Sequence, residues 1–563
     1  MKTLLCALVL LVSSIAAAQS WQWSKHIGGP GIDQANIQGV DASGNIYLTG
    51  TYAGSAQGLN WQGCYIDEDT LMGSADAFIA KYGSSGDLLW LRDIPSAGRV
   101  GVGLLLDSTN AVFYTLGTFQ GNCVLDTITV TTPAGVGVVL AKWNLDGHCL
   151  WARNIASSAL VDGLYGITTG GMVLDGAGEL MIGLHTSPYG LSQVESEYLP
   201  TGTFLGKYDS EGQALWWKPF TEYAGSKSIS SSGLIYHAGR IYGYGKAIIP
   251  QIGDTTIVDT IQIVGRQGRG FILVSLDPAT GVVDWARLDG FPNGYVEFQG
   301  VSLDAQGNIV VVGSYGGVNS MAVFGVDTLS TIPDYAKGYI AKYTSSGNLQ
   351  YVREFVGSNT FDINAVDVAS DGSMALTGTF QGQISFGGSS FTSSTNKDLF
   401  VAIHDPAGEP QAFMHAGVGE GRSIQFMGSD VVVCGLFPGL STPPFGSISI
   451  GDETYTSHGY GDIVLARTSL PTSVAPKSSM DERLLIYANP NQGSFRIVMP
   501  EGLRYASILL LRVYDATGRQ LHQQKLDIGD ERPKADLFGV SPGFYMVTIG
   551  NGQQSYSGNL VVE

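Results

Sequence analysis

Gly539-Val540-Ser541-Pro542-Gly543 has the G-x-S-x-G spacing that presents a nucleophilic serine on a sharp strand-to-helix turn. The residues that follow do not suit that chemistry. Pro542-Gly543 runs into Phe544-Tyr545-Met546-Val547, which reads as a strand where the nucleophile needs a helix. Aspartates recur beside glycine turns at Asp41, Asp107, Asp175, Asp304 and Asp371. A ring of carboxylates would suit calcium, but calcium needs its oxygens at about 2.4 Å, and one aspartate per repeat is spaced too widely. A turn role fits better, because Asp accepts backbone N–H bonds and glycine supplies the positive φ. Lys81, Lys142, Lys207 and Lys342 also recur. They read either as a polyanion site or as stems packed along aromatic neighbours, and the second is favoured. The histidines form no H-E-x-x-H, and none stands at zinc spacing from a cysteine. No glycine loop has the form that cradles phosphate. No catalytic residue, metal site or cofactor is expected.

These residues sit on a repeat. One phrase is an apolar strand, a tight turn and an alternating strand, as in Val40-Asp41-Ala42-Ser43-Gly44-Asn45-Ile46-Tyr47-Leu48-Thr49-Gly50 and again from Leu303 to Gly313. Weaker copies surround Asp107, Asp175, Gly239, Asp371 and Asp430. A second phrase runs Asp76-Ala77-Phe78-Ile79-Ala80-Lys81-Tyr82, then a glycine turn, then Leu88-Leu89-Trp90. It returns through Trp151, Trp216, Trp285, Tyr351 and Phe413, and last as Ile463–Arg467. The residues after the first turn (Ile46, Val112, Leu180, Ile241, Ile309, Met374, Val431) lie 57 to 68 residues apart. A period of that size built of short strands indicates a propeller or an array, with room for four strands per unit. The expected fold is all-β: a seven-bladed β-propeller followed by a small Ig-like β-sandwich. The last Ile463–Arg467 strand lacks a partner after it, so Trp21-Gln22-Trp23-Ser24 is expected to close the ring against it and remove an exposed edge. Trp90, Trp151, Trp216, Trp285 and Tyr351 are expected to pack between blades. Trp61 and Trp217 fall off the rhythm and are the candidates for ligand contact.

Charge is sparse and acidic. The net charge of the 563 residues is −19; nine basic and nine acidic residues follow Pro476, which leaves 20 basic and 40 acidic residues between Gln19 and Pro476. Such a body repels nucleic acid and anionic membrane. Residues 1–18 read as a secretory signal peptide: Lys2, an apolar Leu4–Val12 run and Ala16-Ala17-Ala18. That run is shorter than the roughly 20 residues a spanning helix needs. Export permits disulfides among Cys64, Cys123, Cys149 and Cys434, but spacing selects no pairing and buried free thiols fit equally.

The repeat units resemble the bacterial β-propeller repeat family marked by D-x-x-G-N-x-Y-x-T-G and D-A-F-V-A-K-Y, which implies a scaffold with no fixed activity. The expected domains are a propeller over 19–468, a polar proline-punctuated linker over 469–484 and a terminal module over 485–563. That module carries Tyr487-Ala488-Asn489-Pro490-Asn491-Gln492-Gly493-Ser494-Phe495, then Val513-Tyr514-Asp515-Ala516-Thr517-Gly518-Arg519, then Ser541-Pro542-Gly543-Phe544-Tyr545. It resembles the type A C-terminal sorting domain of the type IX secretion system of Bacteroidetes. The carried-over motif residues are Asn489, Pro490, Gly493, Phe495, Tyr514, Gly518, Arg519, Gly543 and Tyr545. The final strand departs from that family in ending without a lysine. The resemblance implies Sec export, passage through the type IX translocon and handling by its sorting peptidase, then release or anchoring at the cell surface. It also assigns Ser541 to the sorting motif.

Two smaller resemblances remain. Leu276-Asp277-Pro278-Ala279-Thr280-Gly281 through Trp285 is similar to one docking repeat of quinone-dependent dehydrogenase propellers, but a single copy without a vicinal cysteine pair does not support a quinone. Asp69-Thr70-Leu71, Asp126-Thr127-Ile128, Asp259-Thr260-Ile261 and Asp327-Thr328-Leu329 resemble the short O-glycosylation signal of Bacteroidetes.

The functional expectation is a secreted or surface-displayed binding protein without catalysis, whose partner is a polysaccharide or another surface protein. The alternatives are a polysaccharide hydrolase or lyase with carboxylates at the propeller mouth, and an architectural component of the cell envelope.

Overall fold

A computed structural model describes residues 20–52, 63–67, 69–71, 76–96, 101–159, 166–186, 192–194, 197–222, 228–249, 255–264, 268–290, 295–316, 321–325, 327–330, 336–355, 357–394, 396–438, 446–469, 484, 486–487, 491–498, 509–515, 520–526, 533–537, 539–550 and 555–563. The proposed signal peptide and nearly all of the proposed linker lie outside the described residues. Among the described residues every regular element is a β-strand, and no helix is long and apolar enough to cross a membrane. The chain divides into two compact units, Met1–Thr472 and Ser473–Glu563.

The described residues of the first unit form seven antiparallel four-stranded sets. Set 1 is Gln34–Val40, Ile46–Tyr52, Asp76–Tyr82 and Leu88–Ile94. Sets 2 to 6 follow in chain order and begin at Gly101, Ile167, Ser228, Tyr295 and Phe361. In sets 1 to 6 the first phrase of the repeat supplies strands one and two, and the second phrase supplies strands three and four. Strands two and three are almost wholly buried: Ile309–Gly316, Lys337–Tyr343, Met374–Phe380 and Asp398–His404 show no exposed residue. Their apolar runs therefore face neighbouring sets on both sides, which is why they do not alternate cleanly.

Set 7 is assembled from both ends of the unit. Glu420–Met427, Asp430–Pro438 and Gly461–Ser469 supply three strands, and Ser20–Gly28 pairs antiparallel with the third, from Ser20 opposite Ser469 to Ile27 opposite Ile463. The N-terminal strand thus fills the place expected for it. The first strands of sets 1 to 7 neighbour one another in order, and the first strand of set 7 returns to that of set 1, a closed cycle.

One feature exceeds the four strands per set that the period suggested. A short hairpin separates strands two and three, for example Cys64–Ile66 with Asp69–Leu71 and Ser447–Ile450 with Glu453–Thr456. Each hairpin reaches the end of the preceding set. The Cys64–Ile66 strand pairs with Ile27 and Gly28, the Ser192–Val194 strand pairs with Cys149–Ser158, and Asp259 N–H donates to Phe220 O at 2.9 Å. These hairpins consume the residues by which the period exceeds four strands.

The repeated charged and aromatic residues join consecutive sets. Asp41 Oδ1 accepts the backbone N–H bonds of Ser43 and Asn45, both at 2.9 Å, which is the expected turn role. Lys207 Nζ lies 2.9 Å from Asp175 and donates to Pro278 O in the next set at 3.0 Å. Lys342 does the same with Asp304 at 3.0 Å and Pro406 O at 3.3 Å. Breaking such a nearly buried pair on one side costs about 3 kcal/mol or more, because the other charge is left without compensation. Lys81 Nζ sits 5.0 Å from the Tyr47 ring centroid, so its stem does pack along an aromatic neighbour. Cys64, Cys123, Cys149 and Cys434 are all buried, and no disulfide joins them.

The second unit holds a three-stranded sheet (Ile486–Tyr487, Ser494–Ile497, Lys534–Asp536) and a four-stranded one (Gln520–Leu526, Leu509–Tyr514, Gly543–Gly550, Ser555–Val562). Phe495, Ile497, Leu511, Val513, Val547 and Leu560 from the two sheets share one apolar core. Burying side chains of this kind contributes about 1.5–3 kcal/mol each.

Candidate functional site

Three consecutive first strands bring acids together at one end of the cycle. Each of these strands carries a bulge, at Gln299, Asn364 and Arg422, and the residue two places earlier is Glu297, Asp362 and Glu420 respectively. A bulge bends its strand and re-aims the side chains around it. The three carboxylates, with Gln299, Asn364, Arg269 and Lys397, line a pocket of about 570 Å³. Their register partners Ser314, Thr379 and Leu436 form its deeper wall.

The acids are engaged with neighbours. Lys397 Nζ lies 3.2 Å from Asp362. Asn364 Nδ2 donates to Glu420 Oε1 at 3.0 Å and to Gly421 O at 2.9 Å, and Arg422 Nε lies 3.3 Å from Glu420. Gln299 Nε2 donates to Glu297 at 3.4 Å. The Thr379 hydroxyl is buried in the wall without a hydrogen-bond partner among the described residues. Among the described residues no aromatic side chain lines the pocket. The result is a lattice of planar acceptors and donors, suited to a ligand rich in hydroxyl groups.

Sequence reasoning missed these acids. The signal was the position two residues before the bulge, which holds Asn36 in set 1 and then Glu297, Asp362 and Glu420. It becomes visible only when the first strands are aligned on their bulges.

The residues singled out from sequence fall elsewhere. Trp61 lies outside the described residues. Trp217 is half-buried, lies over Gly206 on the paired strand and meets Tyr208 edge-on with centroids 5.6 Å apart. Thr70, Thr127, Thr260 and Thr328 are all exposed in the short hairpins. In the terminal module, Asn489, Pro490, Gly518 and Arg519 lie outside the described residues. Gly493 has φ +92°, and a Cβ there would stand 2.7 Å from Leu537 O, so only glycine fits this turn. Phe495 is buried in the core; Tyr514, Gly543 and Tyr545 are half-buried. Tyr545 O–H donates to Ser541 O at 2.5 Å, which anchors the Ser541 segment to the strand after it. No helix follows Ser541; the strand Gly543–Gly550 does.

Residues 485–563 match the family of secretion system C-terminal sorting domains. This tail implies export to the cell surface or secretion by the type IX route. No curated protein matches the chain. Among solved structures, the extracellular domain of the one-component system BT4673 from B. thetaiotaomicron aligns over 97% of this chain and 99% of its own, at 11% identity and a TM-score of 0.16. The GH43 protein BlXynB of Bacillus licheniformis aligns over 81% and 97%, at 9% identity and a TM-score of 0.27. Xylan β-1,4-xylosidase of Bacillus halodurans C-125 aligns over 78% and 95%, at 10% identity and a TM-score of 0.27. Similarity this loose carries no activity across to the present chain.

Proposed function

We propose that this protein is a binding module displayed on the cell surface or released, exported by the type IX translocon and handled by its sorting peptidase. In this reading residues 19–468 form a seven-bladed β-propeller and 485–563 a small Ig-like β-sandwich that serves as the sorting domain. Asn489, Pro490, Gly493, Phe495, Tyr514, Gly518, Arg519, Gly543 and Tyr545 carry the sorting motif. The ligand is a polyhydroxylated one, a polysaccharide, held at the polar mouth by Glu297, Asp362 and Glu420.

The observation that carries the reading is the engagement of the mouth acids. Asp362 is paired with Lys397, and Glu420 with Asn364 and Arg422. Carboxylates fixed in this way are preorganised to accept hydrogen bonds from hydroxyls, with little side-chain entropy left to lose on binding. A glycosidase instead sets one protonated and one ionised carboxyl on either side of the bond it breaks. A glycan array run beside a reducing-end release assay on the same panel tests the reading. Binding without release is the expected result; release abolished by Glu297→Gln, Asp362→Asn or Glu420→Gln would replace it with a hydrolase.

A further inference from the structure

Three side chains with no part in the mouth meet where the first unit closes on itself. His26 lies on the strand Ser20–Gly28, and His458 and Asp462 flank the start of Gly461–Ser469. His26 Nε2 is 2.6 Å from Asp462 Oδ2, and His458 Nδ1 is 3.4 Å from the same oxygen. The three donor atoms all lie within 4.8 Å of one another. The two imidazole rings are stacked, 8° from parallel with centroids 4.6 Å apart.

We propose that His26, His458 and Asp462 bind a zinc ion that fastens the N-terminal strand to the last strand of set 7. Two imidazole nitrogens and one carboxylate oxygen make a three-residue zinc set, which leaves a fourth position for water. Calcium and magnesium favour all-oxygen shells and are poorly served here. Zinc bonds of about 2.0–2.2 Å hold neighbouring ligand atoms roughly 3.3 Å apart. The separations of 2.6 and 3.4 Å bracket that spacing and the third lies within 4.8 Å, so shifts of the two rings and the carboxylate of about an ångström would bring the three donors to it. His458 has the freedom to adjust: its side chain is 40% exposed, against 14% for His26 and none for Asp462. Its open side is also where water reaches the fourth position.

The surroundings hold the carboxylate in place. Ser457 Oγ donates to Asp462 Oδ1 at 3.0 Å, and the His458 backbone N–H donates to Oδ2 at 2.8 Å. Ser457 Oγ in turn accepts the Gly459 backbone N–H at 3.1 Å. Outer bonds of this kind orient a ligand and tune its affinity. Gly28 provides the space, since a Cβ there would overlap the Asp462 carboxyl. The rings of Tyr65, Tyr455 and Phe437 border the imidazoles and limit solvent access. His26 and Asp462 are 436 residues apart in sequence, so an ion between them ties the two ends of the cycle directly.

The test is calorimetric titration of the metal-stripped full chain with Zn²⁺, followed by thermal unfolding with Zn²⁺, Ca²⁺ or Mg²⁺. One zinc ion per chain is expected, with a midpoint of unfolding that rises with zinc concentration, as mass action requires, and does not rise with the other two ions. Ser457→Ala keeps all three donors and should weaken binding ~10-fold. His458 is partly exposed and lies outside the strands, so His458→Ala should abolish binding while leaving the strand spectrum unchanged. Failure of the native chain to bind zinc overturns the proposal. So does zinc binding undiminished in both His26→Ala and His458→Ala, or an equal rise with calcium.

Discussion

Trp23 Nε1 donates a hydrogen bond to Ser84 O at 3.1 Å, and the indole covers the turn glycine Gly86 of set 1. The same relation joins Trp90 to Leu145 O at 3.0 Å and to Gly147. Trp151 covers Gly212, Trp216 covers Gly281, Trp285 covers Gly347 and Tyr351 covers Gly408. Each turn glycine has positive φ, and the space a Cβ would need is taken by the ring, so these glycines serve conformation and packing together. Trp23 belongs to the N-terminal strand yet obeys the rule of the fourth strands. The strand therefore acts as a full member of set 7.

Replacing Trp23 with Ala should destabilise the first unit by about 2–3 kcal/mol, somewhat below the cost at a fully buried aromatic because the ring is half-buried. Denaturant unfolding followed by tryptophan fluorescence measures this. Trp90→Ala should cost a similar amount. A loss below about 0.5 kcal/mol, the scatter of ordinary surface substitutions, would show that the closing strand adds little.

The sequence revealed the strands that repeat with strong apolar patterns and concealed those that do not. Ile46, Val112, Leu180, Ile309 and Met374 each begin or lead a second strand, as the phrase predicts. The short hairpins went unseen because strands of three or four residues, such as Cys64–Ile66, carry too little periodicity. The mouth was hidden for another reason. Val296-Glu297-Phe298-Gln299 and Phe361-Asp362-Ile363-Asn364 share a pattern, but Gly419-Glu420-Gly421-Arg422 keeps only its acid. His26 and His458 were legible only as scattered histidines, because nothing local relates residues that ring closure alone brings together.

Acid should destabilise the first unit well above the ordinary carboxylate range. His404 is buried between the rings of Phe355 and Phe386, at 5.1 and 5.0 Å, and burial pushes its pKa down from 6.5 to about 3. The unfolded chain therefore binds a proton that the folded one refuses. Stability is full above pH 6.5 and falls as pH drops toward 3, with a slope of at most about 1.4 kcal/mol per pH unit from this one group. His404→Phe should flatten that part of the stability curve measured by urea unfolding between pH 7 and about 4.5. An unchanged slope in the variant would mean that His404 does not carry it.

Deletion of residues 485–563 should leave the first unit folded and hold it inside the outer membrane. Immunoblots of medium, surface-exposed and periplasmic fractions report this directly. Undiminished appearance of the truncated chain in the medium or on the surface would contradict the sorting role of the tail.

The most direct measurement is equilibrium binding of the array-selected polysaccharide to the native chain and to Asp362→Asn and Glu420→Gln. Loss of one charge-assisted hydrogen bond is worth about 1.5–3 kcal/mol, so each variant should bind roughly 10- to 100-fold more weakly, with no sugar released by any of the three proteins. Equal affinity in all three, or release of sugar by the native chain alone, would contradict a binding mouth.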